Sequence, residues 1–184
     1  QVYADIELGM KVDALLDQVC KDPAPPTDEE LRQYYEANKN SFMAPERVRA
    51  SHIVKYASDN VLDLQAAHQE MKQVLAFIQQ GMSFELMAAR HSDCPDNAGD
   101  LGYFTRGVMA PEFEEVVFNL EKGEMSGIFQ TPFGLHIAKL TDRVPAKPRT
   151  FEEAKGEVNR IILAERENAA VDAYTDTLRQ KATK

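Results

Sequence analysis

The C-terminal part of the chain carries a long amphipathic pattern that constrains the whole fold. Thr150-Phe-Glu-Glu153 is a capping box, in which the Thr and Glu side chains satisfy each other's free backbone amides at a helix start. Apolar residues recur behind it at helical spacing to about Arg179, namely Phe151, Ala154, Val158, Ile161, Ile162, Ala169 and Leu178. About thirty residues at ~1.5 Å each span roughly 45 Å, whereas a domain of about a hundred residues has a radius of gyration of about 13 Å. The helix must overhang such a domain, so its apolar stripe needs a partner.

The start of the chain supplies that partner. Residues 8–19 carry apolar side chains at the spacing of a helix that buries one stripe, and the proline-rich segment Asp22–Pro26 ends this helix. A second capping box, Thr27-Asp-Glu-Glu30, opens another helix that runs to about Asn38. We therefore expect N- and C-terminal helical arms that pack together.

The middle of the chain has a different sequence pattern, in which predicted strands and predicted helices are mixed. The predicted elements are a strand at Val48–Tyr56, a helix at Val61–Gln80, a helix from the cap Ser83 to Arg90, a strand at Leu101–Phe104, a helix from Pro111 stopped by Gly123, and strands at Ile128–Phe129 and Leu135–Leu140. This order predicts an α+β domain. We expect the N-terminal arm over residues 1–45, the α+β domain over 46–145 and the long helix over 146–184.

The charge balance excludes two classes of partner. Asp and Glu number 30 against 21 Lys and Arg, which gives a formal net charge of -9 without a basic cluster. Such a chain does not collect phosphate groups, so nucleic acid is not expected as a partner. No apolar run approaches the roughly 18 residues that span a bilayer, and the acidic balance disfavours an anionic membrane surface. Membrane insertion is not expected either.

The two cysteines bear on the compartment. Cys20 and Cys94 form no CxxC or repeated Cys/His pattern, which favours free thiols over a disulfide framework and tilts toward a reducing compartment. The sequence begins with Gln, so we expect a segment upstream of it, and any signal peptide would lie there. Export is therefore left open.

Several short motifs recur in order through the middle of the chain. They are Ser51-His-Ile53, Ser92-Asp-Cys94, Gly99-Asp-Leu-Gly-Tyr-Phe104, the Gly107-Val-Met109 to Phe113 segment, Gly123-Glu-Met-Ser126 and Thr131-Pro-Phe-Gly-Leu-His-Ile137. Together they resemble the parvulin family of peptidyl-prolyl cis/trans isomerases over residues 47–142. The resemblance implies a small antiparallel sheet surrounded by helices, and isomerase activity that needs no cofactor and no metal.

The same resemblance implies a set of site residues. The catalytic residues would be His52, Cys94 and His136, and the proline pocket would be formed by Leu101, Met109 and Phe113 with Phe104 in support. Apolar and aromatic side chains suit the grip on a prolyl ring. The two histidines would point at each other and share a proton that sets the polarity of the cleft floor. Cys94 would serve as a weak hydrogen-bonding group or, in the less favoured alternative, as a nucleophile.

Departures from the family pattern bear on the substrate. The phosphate-directed branch of the family places a basic cluster after the first strand, whereas Lys55-Tyr-Ala-Ser-Asp-Asn60 holds one Lys and one Asp, so phosphoserine-proline specificity is not expected. Ala98-Gly99 stands where Gly-Gly is frequent, and Ala110 where a polar residue is common. The arms resemble those of bacterial foldases, which implies unfolded or proline-containing polypeptides as partners and offers a surface for a homodimer.

Three alternatives stay open at this point. The chain is expected to assist folding as an isomerase, or to act as a chaperone module with little isomerase activity. Cys94 with a histidine also allows a cysteine hydrolase, and His91-x-x-Cys94 allows half a metal site, but no second metal pair and no oxyanion-hole motif accompany them. A cytoplasmic location is expected from Cys94, with a periplasmic or other extracytoplasmic location as the alternative from the foldase-like arms.

Overall fold

The computed structural model describes residues 6–7, 10–11, 14–15, 19, 23–56 and 60–182. The chain divides into two compact units: Gln1–Met43 with Pro148–Lys184, and Ala44–Lys147. The predicted helix over residues 8–19 lies largely outside the described residues, as does Cys20, although the described positions between 6 and 19 are helical.

The helices of the described residues are α1 (Asp28–Ala37), α2 (Val61–Gln79), α3 (Phe84–His91), α4 (Pro111–Asn119) and α5 (Phe151–Ala182). The strands are β1 (Met43–Ala44), β2 (Arg47–Tyr56), β3 (Asp100–Thr105), β4 (Phe129–Thr131), β5 (Gly134–Val144) and β6 (Lys147–Pro148). No helix in this part of the chain is both long and apolar enough to cross a membrane.

The unit Ala44–Lys147 is built on one antiparallel sheet with the strand order β3-β2-β5-β4. Its central pair, β2 and β5, runs from Arg47 opposite Val144 to Tyr56 opposite Gly134, with one bulge beside Arg49. The short strands β1 and β6 pair with each other. The predicted α+β fold with a small antiparallel sheet and surrounding helices is confirmed.

The two faces of this sheet bury different cores, because successive strand residues point to opposite sides. On one face, Ile53 and Ile137 pack with side chains of α2 and α3, including Met71 and Met87. The other face packs against α4; its core consists of Val48, Ala50, Phe104, Phe113, Val117, Phe118, Ala138 and Leu140. The histidines of the motifs project from this second face, between core and solvent.

Helix α4 ends at Asn119, four residues before the Gly123 that the sequence predicted as its stop. Leu120 already has extended backbone angles. The Arg143 guanidinium donates hydrogen bonds to the carbonyl oxygens of Phe118 and Leu120, at 2.9 and 2.8 Å. A basic side chain therefore caps the free carbonyls of the helix where a glycine was expected.

The other unit contains α1 and α5, which pack through one apolar cluster. Both capping boxes form: the Thr27 and Thr150 backbone amides each donate to the Glu three residues on, at 2.7 Å. The shared core consists of Leu31, Tyr35, Phe42, Ala154, Val158 and Ile162. The buried Tyr35 hydroxyl donates to the Arg149 carbonyl oxygen at 2.6 Å. The predicted packing of the two arms is thus confirmed for α1 and α5, and α5 continues three residues past the predicted Arg179.

We expect Val158→Ala to loosen α1 as well as α5. Val158 is fully buried in their shared core, and removing two methyl groups costs about 2 kcal/mol at roughly 0.8 kcal/mol per buried carbon. Hydrogen exchange should show faster exchange of the α1 amides. Asn168→Ala, a change on an exposed position of α5, is the control. Unchanged α1 exchange in Val158→Ala would contradict mutual stabilisation of the two helices.

Candidate active site

The register of β2 and β5 places the two motif histidines on one face of the sheet. His52 lies opposite Ala138 and His136 lies opposite Val54, so the histidines are diagonal neighbours across the strand pair. Their ring centroids are 5.6 Å apart with planes 27° from parallel. The rings stack because neighbouring side chains leave one sheet face in nearly the same direction. The expected shared proton is not the arrangement found, since the described structure contains no hydrogen bond between the two imidazoles.

The environment keeps both imidazoles neutral. Burial lowers the pKa of His136 to about 4, with a smaller contribution from neighbouring His52, and burial also lowers the pKa of His52. His136 Nε2 lies 2.9 Å from Thr131 Oγ1, which also accepts a hydrogen bond from the Phe133 backbone amide. Within the described structure His136 Nδ1 is buried without a hydrogen-bond partner. A proton on Nδ1 would be an unsatisfied donor, which favours the tautomer protonated at Nε2.

Phe113 forms the apolar wall above the histidines. Its ring meets His52 edge to face at 5.9 Å and 89°, and His136 at 5.6 Å and 72°. These three rings border a cleft of about 160 Å³. The cleft is lined by His52, Val54, Tyr56, Leu101, Met109, Ala110, Phe113, Thr131, Phe133 and His136. The structure therefore brings together His52, His136, Leu101, Met109 and Phe113 of the predicted site residues.

Phe104 supports the cleft from behind. It is buried, and its ring centroid lies 6.3 Å from that of Phe113 and 6.0 Å from that of Phe118. It is not among the lining residues. Its place is thus the supporting one that the sequence pattern indicated.

Cys94 lies beside the cleft, next to Tyr56. The segment Ser92–Cys94 runs along the edge of β2, where the Asp93 amide donates to the Val54 carbonyl oxygen at 2.8 Å and the Tyr56 amide donates to Asp93 Oδ2 at 2.9 Å. Partial burial raises the pKa of Tyr56, and the Cys94 thiol beside its hydroxyl raises it further. Cys94 therefore contacts a lining residue and does not itself line the cleft.

Five residues that line the cleft were not predicted from the sequence, although strand alternation and the motifs indicate them. Val54 and Tyr56 follow His52 at intervals of two, the spacing that keeps strand side chains on one face. Thr131 and Phe133 lie inside the motif that ends in His136, and Ala110 directly follows Met109. Strand alternation and motif membership were therefore sufficient to find them.

The loop that carries Met109 is held by a buried carboxylate. Glu114 accepts hydrogen bonds from the backbone amides of Gly107, Val108 and Met109 at 2.8 to 2.9 Å. Burial alone would raise the pKa of Glu114, but these amides lower it further than burial raises it. The carboxylate thus stays charged and fixes the loop at one wall of the cleft.

The loop before β3 packs tightly onto the backbone of His52. Gly99 has φ +79°, and a Cβ atom there would lie 2.1 Å from the His52 carbonyl oxygen. The two preceding residues, Asn97 and Ala98, also have positive φ, at 49° and 54°. Ala98 therefore occupies a backbone conformation that glycine adopts without steric cost.

The family of the chain follows from comparison with known proteins. Residues 26–156 match the model of the PPIC-type PPIase domain, that is, the peptidyl-prolyl isomerase domain of the parvulin class. This match covers most of the chain, and the chain belongs to this family.

Its similar proteins include foldases of bacteria. The chain is 36% identical over 170 residues to the foldase protein PrsA of Caldanaerobacter subterraneus, covering 91% of this chain and 50% of the relative. It is 35% identical over 152 residues to PrsA of Geobacillus kaustophilus, covering 81% of this chain and 48% of the relative. The chain thus spans about half the length of the curated relatives it matches.

Solved structures support the fold. A SurA-like chaperone of Campylobacter jejuni aligns with a TM-score of 0.59 at 18% identity, over 97% of this chain and 71% of that one. A PpiC-type peptidyl-prolyl cis-trans isomerase domain aligns with a TM-score of 0.52 at 20% identity, over 55% of this chain and 94% of that one. At these identities the likeness concerns the fold alone.

We expect Ala98→Gly to raise the free energy of unfolding by about 0.5 kcal/mol. The left-handed conformation costs an alanine roughly 1 to 2 kcal/mol, and the greater freedom of glycine in the unfolded chain offsets about half of the gain. Gly99→Ala should do the opposite and unfold the loop, because its methyl group clashes with the His52 carbonyl. Denaturant titration of both variants measures the two effects, and a destabilised Ala98→Gly would contradict the strain.

We expect His136 to stay neutral down to about pH 4 in the folded protein. In the unfolded chain it takes up a proton near pH 6.5, so protonation stabilises the unfolded state first. The contribution of His136 to stability is therefore complete above about pH 6.5 and is lost as the pH falls toward 4. NMR titration of the imidazole and unfolding between pH 4 and 8 measure this. His136→Gln should lack this part of the pH dependence, and a folded-state pKa near 6.5 would contradict the burial.

Proposed function

We propose that this chain is a peptidyl-prolyl cis/trans isomerase that acts on X-Pro bonds of unfolded polypeptides. The observation that carries the proposal is an apolar cleft whose floor is a stacked pair of neutral histidines and whose wall is Phe113. Membership in the PPIC-type PPIase domain family supports it.

The cleft matches what the reaction demands. Rotation about an X-Pro bond crosses a barrier of about 18 to 20 kcal/mol, because the twisted amide loses its resonance. No bond is broken, so an enzyme needs only to bind the twisted amide better than either planar isomer. A preference of roughly 6 kcal/mol yields about ten-thousandfold acceleration.

The lining residues provide that preference in two ways. Leu101, Met109 and Phe113 hold the prolyl ring by packing, and the unbranched Met side chain adapts to either isomer. The loss of resonance makes the amide less polar, and the water-poor floor around His52 and His136 favours this less polar form. Neutral imidazoles preserve that environment at pH 7, whereas a charged imidazolium would bring water into it.

Similarity to PrsA supports a role in protein folding. The named function of these relatives is that of a foldase, and unit Gln1–Met43 with Pro148–Lys184 exposes the apolar side chains Ile6, Met10 and Leu178. Such side chains suit contact with an unfolded client chain, and the same surface suits a homodimer. This relationship to foldases favours the extracytoplasmic alternative over the cytoplasmic one.

We expect Phe113→Ala to lose at least about 90% of isomerase activity, because the variant removes the wall that packs on the prolyl ring. A loss of ~1.4 kcal/mol of transition-state binding already lowers the rate tenfold. Exchange NMR on an unphosphorylated Ala-Pro peptide with catalytic amounts of protein measures the effect. Cys94→Ala in the same assay tests the thiol, for which we expect a reduced but measurable rate.

Phe118→Ala is the matched control for Phe113→Ala. Phe118 is equally buried in the same core and on the same helix, but it does not line the cleft. Both variants lose core packing, so Phe118→Ala should lose stability and keep activity per folded molecule. Equal activity in the two variants would remove the pocket assignment. A wild type that exchanges no peptide would leave the chain as a chaperone module.

A further inference from the structure

The cleft itself carries no charge. None of its ten lining residues is Asp, Glu, Lys or Arg, and the pKa values of both lining histidines are lowered by burial. Any selection for the charge of a substrate must therefore come from groups just outside the cleft.

Such groups surround Tyr56, which lines the cleft and remains 58% exposed at its rim. Asp93 accepts the backbone amide hydrogen of Tyr56 at 2.9 Å, which fixes its carboxylate beside this residue. After partial burial and the Cys94 thiol, the negative charges of Asp93 and Asp96 also raise the pKa of the Tyr56 hydroxyl. Two carboxylates thus act on the polar end of a cleft residue.

The adjoining cation does not offset these carboxylates. Lys55 Nζ lies 2.9 Å from a Glu70 carboxylate oxygen and 3.0 Å from Asp93 Oδ1, and its side chain is only 19% exposed. One ammonium group is therefore shared between two carboxylates. Lys55 and Glu70 lie on the α2 side of β2, and Asp93 links them to Tyr56 at the strand edge. Among the described residues of this cluster, Glu70, Asp93 and Asp96 carry three negative charges and Lys55 carries one positive charge, which leaves two negative units.

The opposite wall adds no free cation among the described residues that form it. The Met109 loop is held by the Glu114 carboxylate. The Arg106 guanidinium lies 4.1 Å from the centroid of the Phe118 ring, behind the cleft, and also acts on Glu114. The described charges beside the cleft are thus predominantly negative, and the carboxylates among them lie near Tyr56.

We propose that the cleft selects substrates with a cationic side chain, Lys or Arg, next to the prolyl residue, and disfavours acidic or phosphorylated neighbours. The inference rests on the proposed function and deepens it, since it names the substrate class of the same cleft. Carboxylates outside an apolar site attract a cationic neighbour of the proline without placing charge on the amide that must twist. An anionic neighbour meets repulsion, and Lys55 is already paired and cannot receive it.

The test is kcat/KM from exchange NMR on two peptide series that differ only at one position, directly before or directly after the proline. That position holds Lys, Ala, Glu or phosphoserine. At low salt we expect Lys to exceed Ala by about threefold and Ala to exceed Glu by about as much in at least one series, with phosphoserine slowest. The differences should shrink at about 0.5 M salt, because exposed charges are screened.

Variants identify the source of the preference. Asp96→Asn should reduce the ratio of Lys to Glu peptide by about half or more, since one of three negative charges is removed. Glu70→Gln, an exposed partner of Lys55, should reduce it as well because Lys55 is then less neutralised. Glu85→Gln is the matched control: it makes the same change in net charge, but Glu85 pairs with Lys139 and not with Lys55. It should leave the ratio unchanged.

The outcomes separate the two proposals. If no peptide is turned over, the proposed function fails. If all peptides are turned over with equal kcat/KM, or the Glu peptide is fastest in both series, isomerase activity stands and the selection for cationic neighbours is overturned. An equal response of Glu85→Gln and Asp96→Asn would also overturn it, because net charge and not the Tyr56 rim would then set the preference.

Discussion

The antiparallel pairing of β2 with β5 is the constraint on which the rest of the isomerase-like unit depends. It fixes which side chains share a face, because a shift by one residue would turn every side chain to the other side. In the observed register Ile53 and Ile137 enter one core, while His52 and His136 meet on the opposite face. The stacked imidazoles follow from this single alignment, and helix α4 adds Phe113 above them.

The site separates an uncharged interior from a charged rim. Burial keeps His52 and His136 neutral, so the floor of the cleft has low polarity. Charge is confined to groups that position the walls: Glu114 ties down the Met109 loop through three backbone amides, and Asp93 fixes the segment beside Tyr56. A carboxylate that accepts backbone hydrogen bonds stays ionised without approaching the reacting amide. In the proposed function, this charge outside the cleft acts on the substrate chain and not on the bond that rotates.

The helical unit depends on covering the apolar stripe of α5. Helix α5 has 32 residues, and a helix of that length exposes an apolar stripe unless another element covers it. Helix α1 and Phe42 cover its first turns, with Tyr35 hydrogen-bonded to the Arg149 carbonyl oxygen at its start. Two capping boxes of the same design open the two helices that meet there. Helices α1 and α5 are thus held together by burial of shared apolar surface.

The sequence by itself determined those features of this protein that depend on interactions between nearby residues. Capping boxes, apolar periodicity and turn residues predicted the helices and the α+β class, and ordered motifs identified half of the residues that line the cleft, because these signals act over a few residues. Tertiary structure decided the rest. Three features depend on residues that are far apart in the chain. They are the stacking of His52 on His136, the position of Cys94 beside Tyr56 instead of in the cleft wall, and the Arg143 cap on α4. Their distances and burial, and therefore the neutral histidines, arise only when strand register and loop packing bring them together.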